Sequence, residues 1–154
     1  MSEKTFTVNL KLLENYLFQI DFGEFGNLLS DEPAPLGGGE GPSPAGLLAA
    51  SVANCLSASL LYALRRHKED PGELTATITG RFGRVEKFLR ITHFDVEIRL
   101  GSNMSTLPTL VSAVAQFENY CTITQSVRQG IEVDVAIFDS DGVLVHRNPP
   151  AQLS

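Results

Sequence analysis

The chain of 154 residues has no tryptophan, only two cysteines, Cys55 and Cys121, and only three histidines. Two cysteines are too few for a disulfide framework, and in a reducing compartment they are free thiols or partners in a transient catalytic disulfide. With no C-x-x-C pair, and with His67, His93 and His146 far apart in the chain, zinc-ligand spacing is missing, so neither a metal nor a cofactor is expected. Positive charge is also scarce. The formal net charge is −6 and the pI about 5.0, which argues against a nucleic-acid partner or an anionic membrane surface; the short cluster "RRHK" at 65–68 reads as a solvated helix end. The start, "MSEKTFTVNLKLL", carries charges where an export signal needs its apolar region, so a cytoplasmic location is expected.

One long stretch has no charge at all: residues 44–64, enough to span a bilayer by length. It carries Ser51, Asn54, Ser57 and Ser59, is rich in alanine, and lacks aromatic belts, so it reads as a buried central helix of a soluble protein. The chain length suits one domain, residues 1–154, with a core that needs no staple.

The opening third reads as strands. "TFTVNLKLL" and "NYLFQIDFG" are short, β-branched and aromatic, and are separated by a polar turn at Glu14 and Asn15, with a further short strand at "NLLS". Then "DEPAPLGGGEGPSP", residues 31–44, excludes regular structure and is either a functional loop or a plain linker. Ser43 followed by Pro44 starts a helix, since the serine oxygen caps free amides and proline suits the first helical position. That helix is predicted to run to about His67 and to be roughly 35 Å long. It is apolar on nearly every side, and one small subunit has few elements with which to cover it.

"ELTATITGRFGRVE" and "FLRITHFDVEIRLG" alternate with period two and predict a second hairpin. "STLPTLVSAVAQFENY" has helical spacing. "CTITQSVRQG" predicts a short helix opening near Cys121, with Asn119 as its cap and Gly130 closing it in the left-handed conformation. "IEVDVAIFDSDGVLVH" predicts a last strand and a short return. The element order is that of an α+β fold, with helices segregated onto antiparallel sheet.

"GPSPAGLLAASVANCLSASLL", a proline-started helix with a cysteine in its middle, and "FENYCTITQSVRQGIEV", a cysteine opening a short helix before a strand, together resemble the OsmC/Ohr family of thiol-dependent hydroperoxide reductases. The resemblance spans residues 5–138. It implies an OsmC-like fold in which antiparallel sheets from both subunits enclose long central helices, making an intertwined homodimer. It also implies a peroxiredoxin-like enzyme of oxidative stress. Cys55 would attack a small organic or hydrogen peroxide, Cys121 would resolve the sulfenate, and an external dithiol reductant would regenerate the pair.

The departures bear on activity. Peroxidase members carry an arginine on an N-terminal strand and a glutamate ten positions before the attacking cysteine. Here that position is Ala45, and no arginine precedes Arg65. An unassisted thiol titrates near pH 8.5, which leaves little thiolate at neutral pH. Glu40, in the glycine-rich loop, is a candidate accessory acid or an ordinary solvated one. Cys121, at a first-turn position, is expected to be the better ionised thiol, opposed by Glu118, which reads as an accessory acid or, more simply, a solvent-facing charge. "LGGGEG" lacks the lysine and hydroxyl of a phosphate-binding loop. Two readings follow: a weak or altered peroxide reductase, or a non-catalytic protein of the same fold that binds a small apolar ligand or acts as an accessory.

Overall fold

A computed structural model describes residues 3–150. The chain divides after Leu48 into two compact units.

The N-terminal unit holds a three-stranded antiparallel sheet, in the order β1 (Asn9–Glu14), β2 (Leu17–Asp21) and β3 (Asn27–Ser30). The β1–β2 turn falls where the sequence places it, with Asn15 at φ 46°, a conformation asparagine tolerates better than most residues. The register sets Leu10 opposite Ile20 and Leu12 opposite Phe18, with Leu28 opposite Ile20 on the far side. One face of the sheet is therefore apolar, while Asn9, Lys11, Gln19 and Asp21 point the other way. The apolar face is poorly covered: Leu10 is 59% and Leu12 53% exposed.

The glycine-rich segment after β3 closes on a carboxylate. Asp31, buried, accepts the amides of Glu32 (2.8 Å) and Glu40 (3.1 Å), while its own amide donates to the carbonyl of Pro42 (3.2 Å). A Cβ at Gly37 would lie 2.2 Å from the Glu32 carbonyl oxygen, so only glycine permits this approach. The loop carries its own anion, and the amides that Asp31 occupies are unavailable to a phosphate.

Helix α1 (Pro44–Arg65) begins as the sequence predicts: the Ser43 hydroxyl accepts the amide of Gly46 at 3.1 Å. It ends slightly early, because Lys68 turns left-handed at φ 60° and the amide of Glu69 folds back onto the carbonyl of Leu64. Its buried side chains are Val52, Ala53, Leu56, Leu60, Ala63 and Leu64. The opposite flank, with Ala50, Asn54, Ala58 and Tyr62, is exposed. The helix is long and apolar enough to cross a membrane by length and composition, with 33% of its most apolar window buried.

The remainder of the C-terminal unit is a four-stranded sheet in the order β4 (Thr75–Val85), β5 (Phe88–Arg99), β6 (Glu132–Phe138) and β7 (Leu144–Asn148). Phe94, Val96 and Ile98 of β5 stand opposite Val133, Val135 and Ile137 of β6, and all six are buried. At Gly80, a Cβ would meet the Phe94 ring at 3.0 Å, so the glycine lets the ring lie across β4.

The antiparallel hairpins agree with the sequence. One pairing does not follow from it: β5 and β6 run parallel, because the helical segment between them carries the chain back to the end from which β5 started. That segment is also more broken than its periodicity suggests. Helix α2 spans only Leu110–Val114, and a 3-10 turn takes up Phe117–Tyr120. Gln116 (φ −130°) leaves the helical region between them, and Phe117 and Glu118 are both buried. Helix α3 (Thr122–Val127) is capped by Cys121, not Asn119. Gly130 is not left-handed either; the amides of Gly130 and Ile131 both return to the carbonyl of Val127.

Candidate thiol site

Cys55 lies midway along α1 and is half-buried; Cys121 is fully buried, and both are free thiols. The two thiols are neighbours, Cys55 being close enough to raise the Cys121 pKa. Their proximity brings together the central helix and the cap of α3, elements 66 positions apart (121 minus 55).

Cys121 is held on several sides. Its S–H donates to the Thr124 hydroxyl at 3.0 Å, and its sulfur accepts the Thr124 amide at 3.4 Å. Burial, and after it the neighbouring Cys55 thiol, push the Cys121 pKa up from its ordinary value, outweighing the Thr124 groups that favour the thiolate. This reverses the expectation from its first-turn position. Helix α3 has six residues, too short for a dipole to overcome desolvation.

Glu118 is not the solvent-facing charge expected of it. Its carboxylate receives Arg128 at 2.5 Å, His146 at 3.1 Å and Asn148 at 2.9 Å. Burial alone would raise its pKa, but these three donors hold the carboxyl below its ordinary range. The same Arg128 donates to the carbonyl of Val133 (2.9 Å), and Gln125 donates to the backbone of Glu118 (3.0 Å), so the network ties α3, the 3-10 turn, β6 and β7 together. A partial signal for it was local: an acid in an apolar segment, one turn before a cysteine. Its partners Arg128, His146 and Asn148 had none, because nothing local relates them to position 118.

Glu40 is exposed in the loop of the N-terminal unit, with its amide on Asp31. Two further acids support the scaffold. Glu69 accepts the Thr109 amide (2.8 Å) and hydroxyl (2.6 Å) at the start of α2. Asp139 accepts the amides of Met104, Asp141 and Val143 (3.1, 2.9 and 3.0 Å) and so shapes the β6–β7 turn. These bonds, that of Met104 above all, hold its pKa below the usual range.

A family model described as OsmC-like protein matches residues 37–136. No curated protein matches the sequence. Among solved structures, the fold is similar to an OsmC-like protein of unknown function from Vibrio cholerae (17% identity, TM-score 0.70, covering 88% of this chain and 99% of that one). It is also similar to the organic hydroperoxide resistance protein OsmC of Legionella pneumophila (18%, TM-score 0.65, 88% and 98%). An organic hydroperoxide resistance protein from Elizabethkingia anophelis, with thiocyanate bound, matches as well (18%, TM-score 0.63, 88% and 98%). At these identities the likeness is one of fold.

Proposed function

We infer, since the chain belongs to the OsmC-like protein family, that it is a soluble, cytoplasmic thiol-dependent reductase of organic or hydrogen peroxides. The observation that carries this reading is that a half-buried Cys55 neighbours a fully buried Cys121 closely enough to raise its pKa. An accessible sulfur suits attack, and an enclosed one suits resolution. In the first step the Cys55 thiolate attacks the peroxide and breaks its O–O bond, leaving a Cys55 sulfenic acid and an alkoxide that takes up a proton to leave as alcohol. In the second, Cys121 sulfur displaces the sulfenic oxygen as water and forms the Cys55–Cys121 disulfide. An external dithiol then reduces that disulfide by exchange and is itself oxidised.

The working unit in this reading is a homodimer. The apolar face of the N-terminal sheet and the exposed flank of α1, lined by small residues at Ala50 and Ala58, lie open in one chain; a second copy of each would cover them. Glu118 acts here as a positioning residue for the segment that carries Cys121.

Stopped-flow consumption of cumene hydroperoxide with saturating dithiol tests the reading. Turnover is expected in the wild type, none in Cys55→Ser, and in Cys121→Ser a sulfenate that dimedone traps. One specific fact favours the alternative, a non-catalytic member of the same fold that binds a small apolar ligand: Ala45 stands where peroxidases carry glutamate, and no arginine precedes Arg65. Wild-type consumption no faster than Cys55→Ser would decide for it.

A further inference from the structure

The outer face of the C-terminal sheet carries a cluster unrelated to the thiols. His93 and Asp95 are two apart on β5 and so share a face, and the parallel register sets Asp95 directly opposite Asp134 and His93 opposite Glu132 on β6. Two like charges directly opposite on neighbouring strands repel. The imidazole does not separate them in the ordinary way. Its Nδ1 lies 3.1 Å from Glu132 Oε2. Its Nε2 lies 3.0 Å from Asp134 Oδ2 and 3.3 Å from Asp95 Oδ1, yet it is buried and makes no hydrogen bond. Neither oxygen meets the nitrogen at hydrogen-bonding geometry.

When Nδ1–H donates to Glu132, Nε2 presents a bare lone pair beside two carboxylate oxygens, three acceptors converging with no proton among them. All three atoms lie within 4.8 Å of one another. Arg81 offsets only part of the negative charge, reaching the other oxygen of Asp95 at 3.0 Å. A cation on the lone-pair axis would meet every requirement. Bonds of about 2.0–2.2 Å at the tetrahedral angle place ligand atoms roughly 3.3–3.6 Å apart; the Asp95 separation of 3.3 Å falls at that range and the Asp134 separation of 3.0 Å a few tenths of an ångström inside it. Glu132 on the far ring nitrogen is the outer carboxylate that commonly orients a metal-bound histidine. A cavity of about 640 Å³ lined by His93, Glu132 and Asp134, among others, leaves room for the ion and for water.

We propose that His93 Nε2, Asp95 Oδ1 and Asp134 Oδ2 form a binding site for a divalent transition cation of the zinc type, oriented by Glu132. One imidazole with two carboxylates favours such an ion over magnesium, which prefers oxygen and retains its water. The site stands apart from the thiol chemistry and does not depend on it.

Zinc titration by calorimetry and cobalt absorption on the whole chain test the proposal. One equivalent of Zn²⁺ per chain is expected, unchanged in Cys55→Ser. The affinity should fall more than about tenfold in Asp134→Asn and in His93→Gln, and about tenfold in Glu132→Gln, the loss typical of an outer partner. Asparagine keeps the shape of aspartate, so the Asp134 variant separates ligation from folding. Cobalt should give visible d–d bands without a thiolate charge-transfer band in the near ultraviolet. Absence of saturable binding, binding that follows Cys55, or weak binding of Zn²⁺ and Mg²⁺ alike that survives His93→Gln would each overturn the proposal.

Discussion

The two sheets of this protein are both amphipathic, and they treat their apolar faces differently. In the C-terminal sheet Phe94, Val96, Ile98, Val133, Val135 and Ile137 are buried, while Phe82, Val85, Phe88 and Leu89 stay exposed, and two buried acids of that unit find partners within it: Glu118 with Arg128, Glu69 with Thr109. In the N-terminal sheet Leu10 and Leu12 of β1 remain open, and the register of that strand slips between Leu12 and Glu14. In the homodimer proposed above, this uncovered face meets its counterpart in the second copy. The stability of the C-terminal unit should therefore answer to internal pairing and pH, and that of the N-terminal sheet to protein concentration.

The largest effect should come from the uncovered face. A buried leucine is worth about 1.5–3 kcal/mol, and in a two-fold interface each substitution counts twice. Leu12→Lys should weaken self-association at least about 100-fold, seen in sedimentation equilibrium as a fall from twice the chain mass towards the single mass. Gln19→Lys, on the opposite face, should leave the mass unchanged. Equal effects of the two would end the comparison.

Next in size is Glu118. Its carboxyl titrates lower in the folded state than the ordinary value of 4.5, so it contributes stability above the unfolded pKa and loses it as pH falls through the folded one. Removing one partner of a buried pair costs about 3 kcal/mol. Glu118→Gln should lower the urea midpoint at pH 7 and flatten the fall in stability below about pH 4.5. A wild-type midpoint equal at pH 7 and pH 3 would show the network contributes little.

A smaller, kinetic effect concerns Cys121. Because its pKa is raised above the ordinary 9.0 and only the thiolate displaces, conversion of the Cys55 sulfenate to the disulfide should quicken with pH through 9. Thr124→Val removes a group that favours the thiolate and should slow that step several-fold, while initial peroxide consumption is unchanged. Dimedone trapping against disulfide yield from pH 6 to 9 measures it. A pH-independent step would mean the proton leaves Cys121 by another route.

The smallest effect is expected at Glu40. With its side chain in solvent and its amide on Asp31, Glu40→Gln should change turnover by less than about twofold and stability by less than about 0.5 kcal/mol. A larger loss of turnover would restore the loop acid to the site.

Features that depend on near neighbours could be read from the chain alone. The Ser43 cap, the start of α1 at Pro44, the turn at Asn15, the two hairpins and the return after "DSDG" are set by residues within a few positions of one another, and the periodicity of side chains is enough to read them. The settings of Cys55 and Cys121 were legible for the same reason, each being a short local pattern. Features that depend on distant partners emerged with the fold. The parallel pairing of β5 with β6 set Asp95 against Asp134 and brought His93 to both. The break at Gln116 sent Glu118 inward to Arg128, His146 and Asn148, reversing its expected exposure. Burial, and after it the neighbouring Cys55 thiol, raises the Cys121 pKa, whatever its helix position. Charge and hydrogen bonding act over a few ångströms in space with no regard for separation along the chain, so a one-dimensional pattern carries the candidates for such groups and the fold alone chooses their partners.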